Sequence, residues 1–254
     1  MDQFSIRLSK FLAHAGVSSR RKADDIIRSG RVNLNNTVVL YPFVPVIPHK
    51  DVVSIDNKII KYQVTHKYIA LYKPVGYLSD LKDKQNRKLA RALLSDKERL
   101  YPVGRLDYQS EGLMLFTNDG VFAKLVMHPR YEVEKEYLVK LKGKLHPEDL
   151  DKLVDGVMIE GDRYAFDLIR PVRQEKQNAW YRVIIHEGKN RIIRKAMDAI
   201  SYPVIKLRRV RIGPVLLGSM RPGEHRHLTP VEISFFLSHE GPQTKSGSRK
   251  ATTS

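Results

Sequence analysis

One carboxylate in this chain sits where chemistry is feasible. Asp107 lies in Gly104-Arg105-Leu106-Asp107-Tyr108-Gln109-Ser110-Glu111-Gly112, a loop entered by a strand-like run, with glycine on both sides and a cation two positions earlier. Glycine lets the backbone turn sharply and approach a ligand closely. A carboxylate held in such a loop can serve as a nucleophile or a proton acceptor, or it can be a turn residue and nothing more. Residue types alone leave both readings open. A second grouping falls at helical spacing: Arg191, Arg194, Lys195 and Asp198 share one face, opposite Ile192, Ile193, Ala196, Met197 and Ile200. The apolar stripe would dock on a sheet and turn the cations toward a cleft. The plainer reading of Arg194 is a surface pair with Asp198 four residues on. A third grouping is Arg7, Lys10, Arg20, Arg21, Lys22, Arg28 and Arg31, crowded into the first residues of the chain. Cations beside a helix start that offers free N–H groups make a phosphate-gripping surface.

The elements that must carry these residues can be read from the pattern. Leu8, Phe11, Leu12 and Ala15 mark a short amphipathic helix ended by Gly16. Ser18 or Ser19 caps a second, with Ala23, Ile26 and Ile27 buried and Gly30 at its end. Two short strand-like runs, Arg31 to Leu34 and Thr37 to Val39, flank Asn35-Asn36 as a tight turn. Val52 to Ile55 and Ile59-Ile60 are strand-like, and a boundary is expected near Tyr62 to His66. Beyond it, strands are expected at Tyr68 to Tyr72, Leu113 to Thr117, Tyr137 to Leu141, Ala165 to Val172 and Trp180 to His186. Helices are expected at Gly120 to Met127, capped by Asp119, near Pro147 to Val154, and around Ile192 to Ile200. The fold class is therefore α+β: a small N-terminal domain over 1–62, a large one over 67–240, and a disordered basic tail over 241–254.

Composition narrows the partner. The 254 residues carry 45 Lys and Arg against 28 acids, a net charge of +17. Between Arg182 and Arg211 nine Lys and Arg face only Glu187 and Asp198, an excess that repels itself without a polyanion nearby. Nucleic acid is the leading partner over an anionic membrane, since no apolar run approaches the ~20 residues of a spanning helix. Met1-Asp2-Gln3 opens no signal-peptide pattern, so the expected location is the cytoplasm. The absence of cysteine removes thiolate chemistry and zinc ribbons. The nine histidines show no HExxH spacing, and no P-loop or GxGxxG occurs, so neither metal nor cofactor is expected.

Longer strings carry a resemblance. Arg7-Leu8-Ser9-Lys10-Phe11-Leu12, Ser19-Arg20-Arg21-Lys22-Ala23 and Gly30-Arg31-Val32-Asn33-Leu34-Asn35 resemble the S4 RNA-binding domain. Tyr101 to Gly120 resembles the signature of the RsuA-type ribosomal RNA pseudouridine synthases. Tyr68 to Gly76, His128-Pro129-Arg130-Tyr131, Lys135-Glu136-Tyr137 and Glu187 to Lys195 resemble further segments of that family, in its order. The resemblance runs from about Ile6 to Leu237. It departs at Ser110, where threonine is common, and at Ile192, where a polar residue is common.

The resemblance implies a mostly antiparallel sheet flanked by helices, and a monomer that converts a uridine of ribosomal RNA to pseudouridine. It makes Asp107 the nucleophile, Arg105 a neighbour that pairs with it, Tyr137 the ring that stacks on the base and Arg194 the late cation that contacts the aspartate. Leu207 would line the pocket. Arg7, Lys10, Arg20, Arg21, Lys22, Arg31, Lys189 and Arg191 would bind RNA. The target nucleotide must leave the stack to be reached. Asn190 to Ile200 and Arg208 to Gly213 resemble members acting on large-subunit RNA more than the small-subunit enzyme. The competing reading is a non-catalytic S4-domain assembly factor.

Overall fold

The computed structural model describes residues 5–48, 50–62, 65–83, 85–95 and 100–238; the tail expected from 241 lies outside them. Two compact units divide between His66 and Lys67. Among the described residues no helix is long and apolar enough to cross a membrane.

The first unit runs β1 (Ile6–Arg7), α1 (Leu8–His14), α2 (Arg20–Arg28), β2 (Val32–Leu34), β3 (Thr37–Val38), β4 (Pro45–Val46), β5 (Val53–Ile55) and β6 (Lys58–Ile59). Both helices form where the apolar spacing places them. Leu8, Phe11 and Leu12 of α1 meet Ala23 and Ile27 of α2 in one buried cluster, with Val32, Val46 and Val53. The Ser19 hydroxyl accepts the Lys22 N–H and so caps α2. Four strands pair antiparallel in the order β3-β2-β5-β6. Each of its two outer hairpins turns on a pair of residues at positive φ, Asn35-Asn36 and Asp56-Asn57, the residue types that tolerate such turns.

The second unit runs β7 (Tyr68–Lys73), β8 (Tyr101–Val103), β9 (Glu111–Thr117), α3 (Gly120–Met127), β10 (Lys135–Lys142), α4 (Pro147–Asp155), β11 (Val157–Ile159), β12 (Asp162–Tyr164), β13 (Leu168–Gln174), β14 (Asn178–Ile185), α5 (Ile192–Ala199), β15 (Val204–Ile212), β16 (Val215–Leu216), β17 (His225–His227) and α6 (Pro230–Leu237), with short 3₁₀ turns at Ala90–Leu93 and Pro129–Tyr131. Its nine-stranded sheet has the order β13-β14-β10-β15-β9-β7-β17, with β16 on β15 and β8 on β9. Neighbours pair antiparallel except β15 and β9, which run parallel where Arg208 and Arg209 face Glu111 and Gly112. The mixed, mostly antiparallel sheet expected from the resemblance is present.

The seam joins two halves with different cores. β10 and β14 alternate, burying Tyr137, Val139, Leu141, Tyr181, Val183 and Ile185 on one face beneath α5. β7 and β9 are buried on both faces. Leu113 and Leu115 enter one core with Phe122 of α3, while Met114 and Phe116 enter another. Two covered faces explain why these strands read as unbroken apolar runs. Gly112 has φ +108°, and a Cβ there would lie 2.2 Å from the Arg209 carbonyl oxygen, so only glycine lets the strands close at the seam.

The strand expected from Ala165 begins instead at Leu168, because Phe166 turns inward and its N–H bonds to the Leu153 carbonyl at the end of α4. The strand-like run expected to enter the Asp107 loop is β8, while the nine-residue β15, the hairpin β11–β12, and β16, β17 and α6 lie outside the sequence expectations.

Candidate active site at the sheet seam

The loop between β8 and β9 reaches the seam at Asp107, and its backbone is held from several sides. Gly104, at φ +80°, starts the turn. Leu106 packs inward at 7% exposure, and its N–H and carbonyl both bond the buried Ser79 hydroxyl, at 2.9 and 2.6 Å. The Tyr108 carbonyl accepts from the Gly76 N–H, and the Asp107 carbonyl from the Ser110 N–H. Beneath the loop, the fully buried Lys73 ammonium donates to the carbonyls of Pro74, Asp107 and Ser110 at 3.0, 3.2 and 2.7 Å. Burial lowers the Lys73 pKa to about 8, although the Asp107 charge pulls the other way. The fixed points are thus backbone atoms, and the carboxylate itself stays unanchored.

Two guanidiniums from the start of α5 stand over that carboxylate. Arg194 Nε lies 3.7 Å from Asp107 Oδ2, and Arg191 Nη1 lies 3.9 Å from it. Both are ion-pair distances longer than a hydrogen bond. Arg194 is itself tied down: Nη1 donates to the Val204 carbonyl at 3.2 Å, and Nη2 reaches the Gln109 carbonyl and the Ser110 hydroxyl at 3.4 Å. Burial lowers its pKa and Asp107 opposes the shift; a guanidinium keeps its charge regardless. The polar face of α5 divides in two. Arg194 turns to the Asp107 loop, while Lys195 turns to Glu160 and the Tyr164 ring.

Asp107 opens onto a cleft of about 740 Å³ within the second unit, a size that suits a single nucleotide. Tyr137, Ile192 and Leu207 give it apolar walls, and Lys135 and Arg209 also line it. Tyr137 is 7% exposed and belongs to the core and to the cleft wall at once. The residue common as a polar side chain in the family is here Ile192, which is buried and makes this wall apolar.

Other expected site residues make different contacts from those expected. Arg105 lines the same cleft but is exposed and lies 3.9 Å from Asp80, while the cations within ion-pair distance of Asp107 are Arg191 and Arg194. With Leu106 turned inward, the neighbouring Arg105 side chain is carried outward to solvent. Arg191, expected on RNA, is exposed and also stands within ion-pair distance of the aspartate. Lys189 lines the cleft but is engaged within the protein, donating to the Arg163 carbonyl and pairing with Glu187. In the first unit Arg20, Arg21 and Lys22 are exposed around the start of α2, Lys10 is half-buried, and Arg7 lies over the Phe43 ring. Arg31 forms a forked pair with Asp56. Missed by the sequence reading were Lys73, Ser79 and Arg209. The apolar company of Lys73 in Tyr68–Lys73 signals a buried strand end, but nothing in it marks an ammonium beneath a loop.

Comparison with known proteins places the chain in a family. Residues 67–199 match the RNA pseudouridylate synthase family and residues 6–42 the S4 domain. An uncharacterized RNA pseudouridine synthase of Aquifex aeolicus is 40% identical over 231 residues, covering 90% of this chain and 92% of that protein. Ribosomal large subunit pseudouridine synthase B of Bacillus subtilis is 39% identical over 230 residues, covering 89% and 93%. A crystal structure of a pseudouridylate synthase superposes with a TM-score of 0.63 at 26% identity, covering 91% of this chain and all of the other. With both halves matched and the relatives spanned almost end to end, the chain belongs to the RNA pseudouridine synthase family, as an isomerase that carries an N-terminal S4 domain.

Proposed function

We propose that this enzyme isomerises a uridine of large-subunit ribosomal RNA, in the cytoplasm and as a monomer, with Asp107 as the residue that attacks the flipped-out nucleotide. The observation that carries the chemical part is the Asp107 loop: its backbone is bonded to Lys73, Ser79 and Gly76, while its carboxylate faces the cleft with Arg191 and Arg194 beyond hydrogen-bond distance. A pre-positioned carboxylate with free lone pairs gains the orientation that attack requires. The target base leaves its stack, at roughly a few kcal/mol, and is held against Tyr137 and Leu207. Its C1′–N1 bond breaks, the base turns, and C5 bonds C1′, so the product is an isomer and no other reactant is consumed. Arg194 and Arg191 face the aspartate at ion-pair distance and complement its charge. The large-subunit target rests on the relative from Bacillus subtilis, which carries that name over nearly its whole length. The exposed cations at the start of α2 are assigned to RNA phosphates.

The test is to incubate the protein with unmodified large- and small-subunit ribosomal RNA and map pseudouridine chemically. New modification at a large-subunit position is expected. Modification confined to small-subunit RNA would move the target, and none on either RNA would remove the ribosomal assignment.

A further inference from the structure

The deepest cation of the cleft has an unused donor. Arg209 is 3% exposed. Its Nε donates to the Leu113 carbonyl at 2.7 Å across the seam, and its Nη1 reaches the Tyr137 hydroxyl at 3.4 Å. Its Nη2 is shut off from solvent and has no hydrogen-bond partner among the described residues. Leaving a donor of a buried cation unpaired is costly, and where such a group survives a role in binding accounts for it. Arg194 Nε likewise lacks a hydrogen-bond partner, but it faces the Asp107 carboxylate at 3.7 Å, and the buried Lys73 and half-buried Lys135 are hydrogen-bonded. Lys73 is spent on the Asp107 loop, and Lys135 donates to the carbonyls of Val133 and His186 at 2.7 and 2.9 Å. Burial holds Lys135 down to about 8, with Arg209 adding to the shift, so the charges already strain against one another before substrate arrives. Arg209 and Lys135 line the cleft into which Asp107 opens.

We infer that Arg209 is a catalytic residue: as the base seats against Tyr137, the ring gives way and Nη2 donates to a carbonyl oxygen of the pyrimidine, stabilising the negative charge that the base carries between bond breaking and bond making. This rests on the reading of Asp107 given above. When C1′–N1 breaks, the electron pair leaves with N1 and spreads onto O2 and O4. C1′ either bonds an Asp107 carboxylate oxygen or is relieved by loss of the C2′ proton to it. Once the base has turned, C5 bonds C1′, Asp107 is released or returns the C2′ proton, and the C5 proton is transferred to N1. Until C5 bonds C1′ the base holds one negative charge, which a buried, fixed guanidinium stabilises most effectively.

The experiment is a single-turnover comparison of wild type, Arg209→Lys and Arg209→Gln on RNA carrying uridine, 2-thiouridine or 4-thiouridine at the target, since sulfur is the weaker acceptor. One thio substitution should slow wild type roughly tenfold to a hundredfold. The variants should lose roughly 10²-fold on uridine, bind RNA as before, and no longer distinguish uridine from that thio base. Equal slowing of all three substrates by both variants, with discrimination intact, would reduce Arg209 to a packing role. Should the variants fail to fold, wild type indifferent to both thio bases overturns the inference alone. Asp107→Asn run beside them separates the two readings: activity retained there removes the Asp107 assignment, while activity lost there with no Arg209 coupling removes this one only.

Discussion

A carboxylate attacks only while its lone pairs are free, and Asp107 keeps that freedom because backbone bonds, not side-chain bonds, fix its place. Lys73 is central to this. Its amine is held to about 8 against an ordinary 10.5, so it is charged at pH 7 and neutral by pH 9. The single-turnover rate should therefore fall between pH 7 and 9, and Lys73→Met should be slower at pH 7 and show a shallower fall. Stability moves the other way: between about 8 and 10.5 the unfolded chain binds more protons at Lys73 than the folded one, so this group's contribution to stability rises with pH. A wild-type rate that stays flat across this range would contradict the assigned role. Of these residues Asp107 and Arg194 are legible in the sequence through the family resemblance, with helical spacing adding support for Arg194. Lys73 and Arg209 are not, because their roles come from strands meeting at a seam far apart in the chain.

At the scale of elements, the site exists because β9 and β15 run parallel for two residue pairs and bring the Asp107 loop beside the strand that carries Leu207 and Arg209. Gly112→Ala would place a methyl group 2.2 Å from a backbone oxygen at a positive φ. It should cost upward of about 2 kcal/mol or prevent folding, measurable by denaturant titration; a loss below about 0.5 kcal/mol would show that the seam is not so close. The helices and the apolar strands were readable from spacing, while β15 was not. Its Lys206, Arg208, Arg209 and Arg211 break the apolar pattern, and it becomes a strand because Glu111, Glu134, Glu136 and the Leu113 carbonyl receive three of those charges. For α6 the signal was available: Thr229 and Glu232 form a capping box with Pro230 at the first position.

At the scale of the whole molecule, the net charge of +17 makes RNA affinity a matter of salt. Replacing Arg20, Arg21 and Lys22 together by alanine should weaken RNA binding, lower the salt slope by about 2, and leave the rate at saturating RNA unchanged; a lowered saturating rate with unchanged affinity would contradict the phosphate role. Binding and chemistry are thereby assigned to different residues, and the central claim can be tested by removing the second while keeping the first. Asp107→Asn exchanges one carboxylate oxygen for an NH2 group and removes a single negative charge, so RNA affinity should stay within about threefold of wild type, a difference below 1 kcal/mol. Under single-turnover conditions on the mapped RNA, mass spectrometry should find no pseudouridine with the variant and full conversion with wild type. Conversion by the Asp107→Asn enzyme at a rate near that of wild type would contradict the account.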